Sequence, residues 1–482
     1  MKRIANIVNV TIVRSFLFIV APFVLHAAAP TTPDYRISAA KGPYFVCDSR
    51  VVEDRWQLER FGVPPKRHPK NPLIVREHPW EGTGPHMGGS VLFDTQDRLF
   101  KMWYSVWNKN AYYNKLPFSY NVCYAESADG ITWRKPALGL FDYEGSKENN
   151  CIRLGSDKTQ NIDVCLNPKP RVSPGKFLAI HNQKGGVFVS SSPDGKSFKC
   201  LWPTPAISYH SDTHNNFVYD EMRERWLLFC RPRAYAGDHK RRVAVQESRD
   251  LQHWTHERNI LVPTETDKPE FYGMIVFRRG DLFFGQLQTY DRATGFMHSE
   301  LAWSGDGQVW DRIPTHPPFL ERGPAGSWEA GMVMAAESPV EVGDELRFYY
   351  GGFPLPHDTK EENVAAIGLA VAGRDRLIGV RPISSAPGFL MTRPLTPPKK
   401  STLVVNAIIR KELRAEIRSD GNKVLNGFSF DDCDPVTESG FAKEIMWKGR
   451  TISNVALKEM RVVFRLTDAE LFTFDFSRKR VQ

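Results

Sequence analysis

Cysteine is sparse and unpatterned in this chain: seven residues, at 47, 123, 151, 165, 200, 230 and 433, with no Cys-x-x-Cys pair among them. A disulfide-rich scaffold is excluded and a structural zinc site is not indicated, so no metal is expected. Cys123, Cys165 and Cys230 fall in apolar, strand-like runs where buried free thiols are the expected state, leaving room for one or two disulfides. No Lys/Arg tract of the kind that grips a phosphate backbone is present, so nucleic acid is not an expected partner. Past residue 29 no apolar run approaches membrane-spanning length. The oligomeric state leaves no mark in the sequence.

The apolar run at 16–25 follows Lys2, Arg3 and Arg14 and precedes Ala27-Ala28-Ala29. This order reads as a signal peptide over 1–29 and predicts an exported chain, periplasmic, extracellular or cell-surface. Without its three cations the formal charge of +9 falls by three, leaving a mildly basic protein. That balance would favour anionic ligands such as uronate or sulfated glycans. The pairs Arg231/Arg233, Arg241/Arg242 and Arg278/Arg279 sit beside strand-like runs and read as solvated edges.

What the chain does have is 12% aromatic residues and a repeat. Ser127-Ala-Asp129-Gly130-Ile-Thr-Trp133 recurs as Ser192, Asp194 and Phe198, as Ser248, Asp250 and Trp254, and as Ser304, Asp306 and Trp310. The starts lie 65, 56 and 56 residues apart, a period of one supersecondary unit. In each copy an apolar run reads as a strand. Ser-x-Asp-Gly then turns the chain, because Asp bonds its own backbone and Gly accepts positive φ. The Asp of each turn is therefore structural.

Four short strands per unit predict blades of a β-propeller. The fold class is all-β: a five-bladed β-propeller followed by a small C-terminal β-sandwich. Residues 30–70 read as a lead-in that wraps the first blade, 71–393 as the propeller, 394–400 as a Pro-rich linker and 401–482 as the sandwich. In the fifth unit the Ser-x-Asp turn is degraded, and Gly388-Phe-Leu-Met-Thr392 is the candidate outer strand.

The leading ends of the innermost strands line one mouth of a propeller channel. Acids stand there in every unit: Glu81 after Trp80 and before His86, Asp163, Asp212 with His214 and Asn215, Glu270 with Tyr272, and Glu329 after Trp328. A ring of carboxylates in one cavity separates acid from base roles by desolvation and repulsion. Trp80, Tyr272 and Trp328 offer rings for stacking, and His86 and His214 read as ligand-orienting hydrogen-bonders. Asp163 has an equally simple use, satisfying backbone donors at a strand start.

Asn71-Pro-Leu, Phe100-Lys-Met-Trp-Tyr104-Ser, Tyr124-Ala-Glu-Ser-x-Asp-Gly-x-x-Trp133, Glu270-Phe-Tyr-Gly-Met274, Ser327-Trp-Glu-x-Gly-Met332 and Tyr349-Tyr-Gly-Gly352 resemble the bacterial exported proteins grouped with glycoside hydrolase family 32/43-like five-bladed propellers. Gly427-Phe-Ser-x-x-Asp-Cys433 and Trp447-Lys-Gly449 are similar to their attached β-sandwich. The resemblance implies hydrolysis of a glycosidic bond by two carboxylates, with a third acid tuning one of them. The chain departs from true fructosidases, since Trp-Met-Asn-Asp-Pro-Asn-Gly, Arg-Asp-Pro and Glu-Cys are absent, so fructan specificity does not carry over.

The expectation is an exported, exo-acting glycoside hydrolase needing no cofactor and acting on an oligo- or polysaccharide. Glu270 is the expected general acid, Asp212 its tuner, and Glu81 or Glu329 the base or nucleophile. Trp80, His86, Asp163, His214, Asn215, Tyr272 and Trp328 are the expected substrate contacts. The alternatives are a non-catalytic glycan-binding propeller and a glycoside phosphorylase, which would need a basic cluster facing the acids. The hydrolase reading in this form requires Asp212, Glu270, Glu329 and Glu81 to face one cavity.

Overall fold

The computed structural model describes residues 42–478 apart from 155–158, 172, 266, 268, 397–400, 420, 456 and 458. The expected signal peptide, the first part of the lead-in and the end of the linker lie outside the described residues. The chain is all-β and of β-propeller type.

Five antiparallel units follow one another. The first is built on Leu99–Trp107, with Pro85–His86 and Val91–Asp94 along one edge and Tyr120–Ser127 along the other. The second runs Gln160–Leu166, Phe177–Gln183, Gly186–Ser192 and Lys199–Cys200, and the third Asn216–Asp220, Arg225–Cys230, Val243–Ser248 and Arg258–Leu261. Glu270–Arg279, Leu282–Asp291 and Phe296–Ser304 form the fourth, and Met332–Ala335, Glu345–Phe353 and Ala366–Gly373 the fifth, the last two units being joined into one sheet by a parallel bridge between Met297 and Met332.

The Ser-x-Asp turn explains both the repeat and the packing of one unit on the next. Ser127 Oγ accepts the Gly130 N–H at 2.8 Å, and Asp129 Oδ1 accepts those of Ile131 and Thr132 at 2.8 and 2.7 Å. The copies at Ser192, Ser248 and Ser304 make the same bonds. Gly130, Gly195 and Gly307 carry φ of 73°, 77° and 75°, as the turn requires; Leu251 takes that place in the third copy at 65°. The turns also latch neighbours. The Tyr349 hydroxyl of the fifth unit donates to Gly130 O at 2.7 Å, and Trp103 Nε1 of the first donates to Gly195 O at 2.6 Å.

Two strand expectations are corrected. The lead-in does not wrap the first unit. Tyr44–Phe45, Val52–Trp56 and Leu58–Gly62 instead join the C-terminal sheet, while Lys66–Arg67 forms the outer strand of the fifth unit against Val371 and Ala370. Gly388–Thr392 is displaced from that place; it pairs with Val52–Trp56 and with Met460–Arg478, and Leu390 is fully buried in the core of the C-terminal sheet. Alternation along a five-residue strand suits either sheet edge, and the choice was made by long-range pairing. Asn71 then mimics a strand residue, its amide donating to Leu369 O at 2.9 Å and accepting Leu369 N–H at 2.8 Å.

The C-terminal sheet has eight strands, with Ser401–Ser419 and Met460–Arg478 as its two longest. The pairing of these two is interrupted by bulges such as that between Ile409 and Glu412.

Candidate functional site

The centre of the propeller is closed by a polar clasp. Asn216 Nδ2 donates to Asp163 Oδ2 at 3.1 Å and to Glu337 Oε2 at 2.7 Å, while its Oδ1 accepts the Val276 N–H at 2.9 Å. Asp163 also accepts the Phe217 N–H at 2.8 Å and the Ser90 hydroxyl at 3.3 Å, and Glu337 N–H donates to Gly89 O at 3.1 Å. Each of the five units thus contributes at least one hydrogen-bonding group. Burial pushes the Asp163 carboxyl up to about 7 against its bonds to Phe217, Ser90 and Asn216. Burial, then the Asp163 charge, holds Glu337 well above the usual carboxylate range.

Above the clasp lies a cavity of about 500 Å³. Its floor and walls include His86, Asn161, Asp212, His214, Tyr272 and Phe353, with Tyr112, Tyr113, Tyr120, His357, Asp358 and Glu361 nearer the rim. A second recess of about 470 Å³ shares Thr83, Lys109 and Tyr113 with it. Local structure aims these groups. Asn161 is held at φ 53°, its amide donating to Thr213 O at 3.1 Å. A bulge between Phe271 and Gly273 leaves Tyr272 unpaired, and Thr213 Oγ1 and Arg231 Nη2 donate to its carbonyl at 2.8 and 3.1 Å. A Cβ on Gly273 would meet Thr213 Oγ1 at 2.4 Å, so only glycine admits this contact. The loop bearing His357 and Asp358 is docked by His357 N–H on Gly295 O at 2.8 Å and tied to the short helix Lys109–Tyr113 by the Lys109 ammonium, bonded to Lys360 O at 2.7 Å and Glu361 O at 2.9 Å.

Of the four expected catalytic acids only Asp212 lines the cavity. Glu81 is wholly buried in a 3-10 turn, accepting the N–H groups of Glu77 and His78 and the Tyr104 hydroxyl, with Lys135 Nζ at 2.7 Å. Glu329 pairs with Arg67 at 2.5 Å. Glu270 lies between Arg241, 3.1 Å away, and Arg292. Burial raises its carboxyl, but Arg292 and the Arg241 N–H outweigh that and hold it below the usual range, the opposite of an acid's need. The convergence expected of the four does not occur, because arginines and a lysine neutralise three of them outside the cavity.

Among the expected contacts, His86, His214 and Tyr272 face the cavity. Trp80 stacks on His78 and bonds Asn150, Trp328 stacks on Tyr350, Asn215 is bonded to Ser211, and Asp163 belongs to the clasp. These four are structural. His86 Nδ1 and both ring nitrogens of the buried His214 have no hydrogen-bond partner among the described residues. Burial depresses His86 to about 4 and His214 to about 3, so both are neutral hydrogen-bonders at physiological pH. Among the described residues no group of three His, Cys, Asp or Glu side chains is arranged to hold a metal ion.

Tyr112, Tyr113, His357, Asp358 and Glu361 were not anticipated. They sit in the connections between second and third strands, which return to the same end of a blade as the leading edge of its first strand. The length of those connections in the first and fifth units was the available signal.

No protein-family model and no curated protein matches the chain. Solved structures do resemble it. An N-acetylgalactosamine deacetylase from F. plautii, in complex with blood group B trisaccharide, is 16% identical with a TM-score of 0.46, over 66% of this chain and 96% of that one. The catalytic domain of the Coprinopsis cinerea GH62 α-L-arabinofuranosidase is 12% identical with a TM-score of 0.45, over 64% and 97%. A glycosyl hydrolase from Bacteroides ovatus is 13% identical with a TM-score of 0.45, over 66% and 95%. The chemistry has to come from this chain's own residues.

Proposed function

We propose that the protein is an exported glycoside hydrolase whose five blades surround one channel and whose site is the cavity at its mouth. The observation that carries the reading is the lining itself: tyrosines and Phe353 beside unpartnered imidazoles and Asp212. Flat rings with a few convergent polar groups suit a sugar, which presents apolar faces and a rim of hydroxyls. The asparagine clasp closes the channel below, so a chain end enters and a chain cannot thread through, which favours exo action. Asp212, first expected to tune Glu270, takes the role of catalytic base in place of Glu81 or Glu329.

The lining carries Asp212, Asp358 and Glu361 against a single ammonium, Lys109, which is spent on backbone carbonyls. That favours a neutral glycan over the anionic one suggested by net charge, while Arg231, 3.7 Å from Asp212, puts a cation beside the lining and keeps the phosphorylase as an alternative. A second reading, a glycan-binding propeller without turnover, is favoured by the diversion of Glu81, Glu270 and Glu329 into ion pairs.

Wild type and Asp212→Asn should be compared on a panel of neutral oligosaccharides for turnover and binding. Turnover by the wild type, lost by about 100-fold or more in the variant with binding kept, supports the hydrolase. Binding without turnover by the wild type supports the lectin, and neither on any glycan overturns both.

A further inference from the structure

With Glu270 held between two arginines, the proposed hydrolase has no obvious proton donor for the departing oxygen. A connected path does reach the cavity. The Tyr272 hydroxyl lies 3.1 Å from His357 Nε2, and His357 Nδ1 lies 2.8 Å from Asp358 Oδ1. The other Asp358 oxygen accepts the Tyr290 hydroxyl. Asp358 is thus anchored by Tyr290 on one oxygen and turned to the imidazole with the other, which suits it to orient His357. Nucleophile or acid, base and orienter in hydrogen-bond sequence is the arrangement by which side chains move protons.

Charges around the path fit a proton delivered inward. Burial, then the Asp212 charge, raises the Tyr272 phenol above its ordinary value and keeps it protonated at rest; Arg231 and Arg241 flank the ring, their guanidinium carbons 4.9 and 5.3 Å from its centre, and oppose that rise, easing the phenolate left after donation. Arg231 Nη1 also stands 3.7 Å from Asp212 Oδ2, joining the two sides of the site. The groups facing His357 are Tyr272, the Tyr290 ring at 5.1 Å and Asp358, with the Glu270, Arg241 and Arg292 cluster beyond them. The Tyr290 hydrogen bond, opposed by burial and helped by His357, holds Asp358 below the usual carboxylate range. It stays ionised and can support an imidazolium.

We propose that Tyr272 is the catalytic proton donor of this site, recharged through His357, with Asp358 as the positioning residue for the imidazole. The inference rests on the hydrolase reading. As the glycosidic C–O bond breaks, the leaving oxygen takes the Tyr272 proton and Tyr272 takes the Nε2 proton of the imidazolium. Water attacks the anomeric carbon and gives its proton to Asp212. His357 regains a proton from solvent and Asp212 returns one, so the net reaction is addition of water across the bond.

The test uses dinitrophenyl and phenyl glycosides of neutral sugars with the full-length protein. In Tyr272→Phe, phenyl glycoside turnover should fall by 100-fold or more, while dinitrophenyl glycoside, whose leaving group needs no proton, falls less than tenfold with KM little changed. His357→Gln should move the basic limb of the pH–rate profile, and Asp212→Asn should slow both substrates alike. Equal losses on both substrates in Tyr272→Phe, or no loss, overturn the proposal while leaving the hydrolase standing. If the wild type cleaves no glycoside, nitrogen NMR of the histidines still decides. The path requires neutral His357 to carry its proton on Nδ1 and its titration to shift in Tyr272→Phe; an Nε2–H tautomer, or an unmoved titration, overturns it.

Discussion

The channel's centre and its mouth are built from the same kinds of residue and differ in where their hydrogen bonds end. At the centre, Asp163 and Glu337 are tied together through Asn216 and to the backbone of neighbouring units, and among the described residues none of their buried side-chain atoms lacks a partner. At the mouth, His214 is just as buried and keeps both nitrogens unpartnered among the described residues. Burial alone does not mark a binding group. A buried polar atom without a partner costs stability, and a ligand that bonds it recovers that cost.

The sharpest break of this comparison is at the clasp. Asn216→Leu strips a donor from two buried carboxyls and an acceptor from Val276, so unfolding free energy should drop by about 4 kcal/mol, read from urea midpoints. The clasp also sets a pH dependence. The unfolded Asp releases its proton near pH 4, whereas folded Asp163 keeps it up to about 7. Across that window the native state binds the extra proton, so stability falls as pH rises, by about 1.4 kcal/mol per unit for one proton. Asp163→Asn should flatten the slope. A wild type with flat urea midpoints from pH 4.5 to 7.5 would show that folded Asp163 does not keep its proton across that window.

Next in size is Glu270→Gln, which uncouples structure from chemistry. Losing the carboxylate leaves Arg241 and Arg292 unneutralised, and since both keep some solvent the cost should be about 2 kcal/mol. Turnover, where the protein is folded, should stay within a few-fold of wild type. A fall of 100-fold with an intact fold would return Glu270 to the role of acid.

At the mouth the sign should reverse. His214→Leu removes two unpartnered polar atoms from an apolar surrounding, so stability should hold or rise by about 1 kcal/mol, while saccharide affinity measured by calorimetry falls about tenfold. Loss of stability with affinity intact would make His214 a structural residue after all.

The same distinction explains what could be read from the sequence. The repeat was legible because Ser127, Asp129 and Gly130 act within one turn, and local bonds leave a local spelling. The site was legible where a first strand leads into the channel, as at His86, Asp212, His214 and Tyr272. It was illegible where a partner comes from far along the chain. Arg67 neutralises Glu329 across 262 positions, and Arg241 is 29 residues from Glu270; no spacing announces either pair. Lys66–Arg67 replacing Gly388–Thr392 as an edge strand is the same failure on the scale of a sheet.

The smallest effect tests the repeat. Asp129 and Asp212 are both exposed aspartates, one in a three-to-four strand turn and one at the channel mouth. Asp129 accepts the Ile131 and Thr132 N–H groups, which water can replace, so Asp129→Ala should cost only about 1 kcal/mol. The turn hangs from the end of the blade opposite the mouth and reaches the fifth unit through Gly130 O and its own carbonyl, which take Tyr349 and Arg347. Because those contacts are backbone carbonyls, they survive the substitution, and glycan turnover should match wild type. A loss of turnover beyond the loss of folded protein would mean that the latch between the first and fifth units sets the geometry of the mouth.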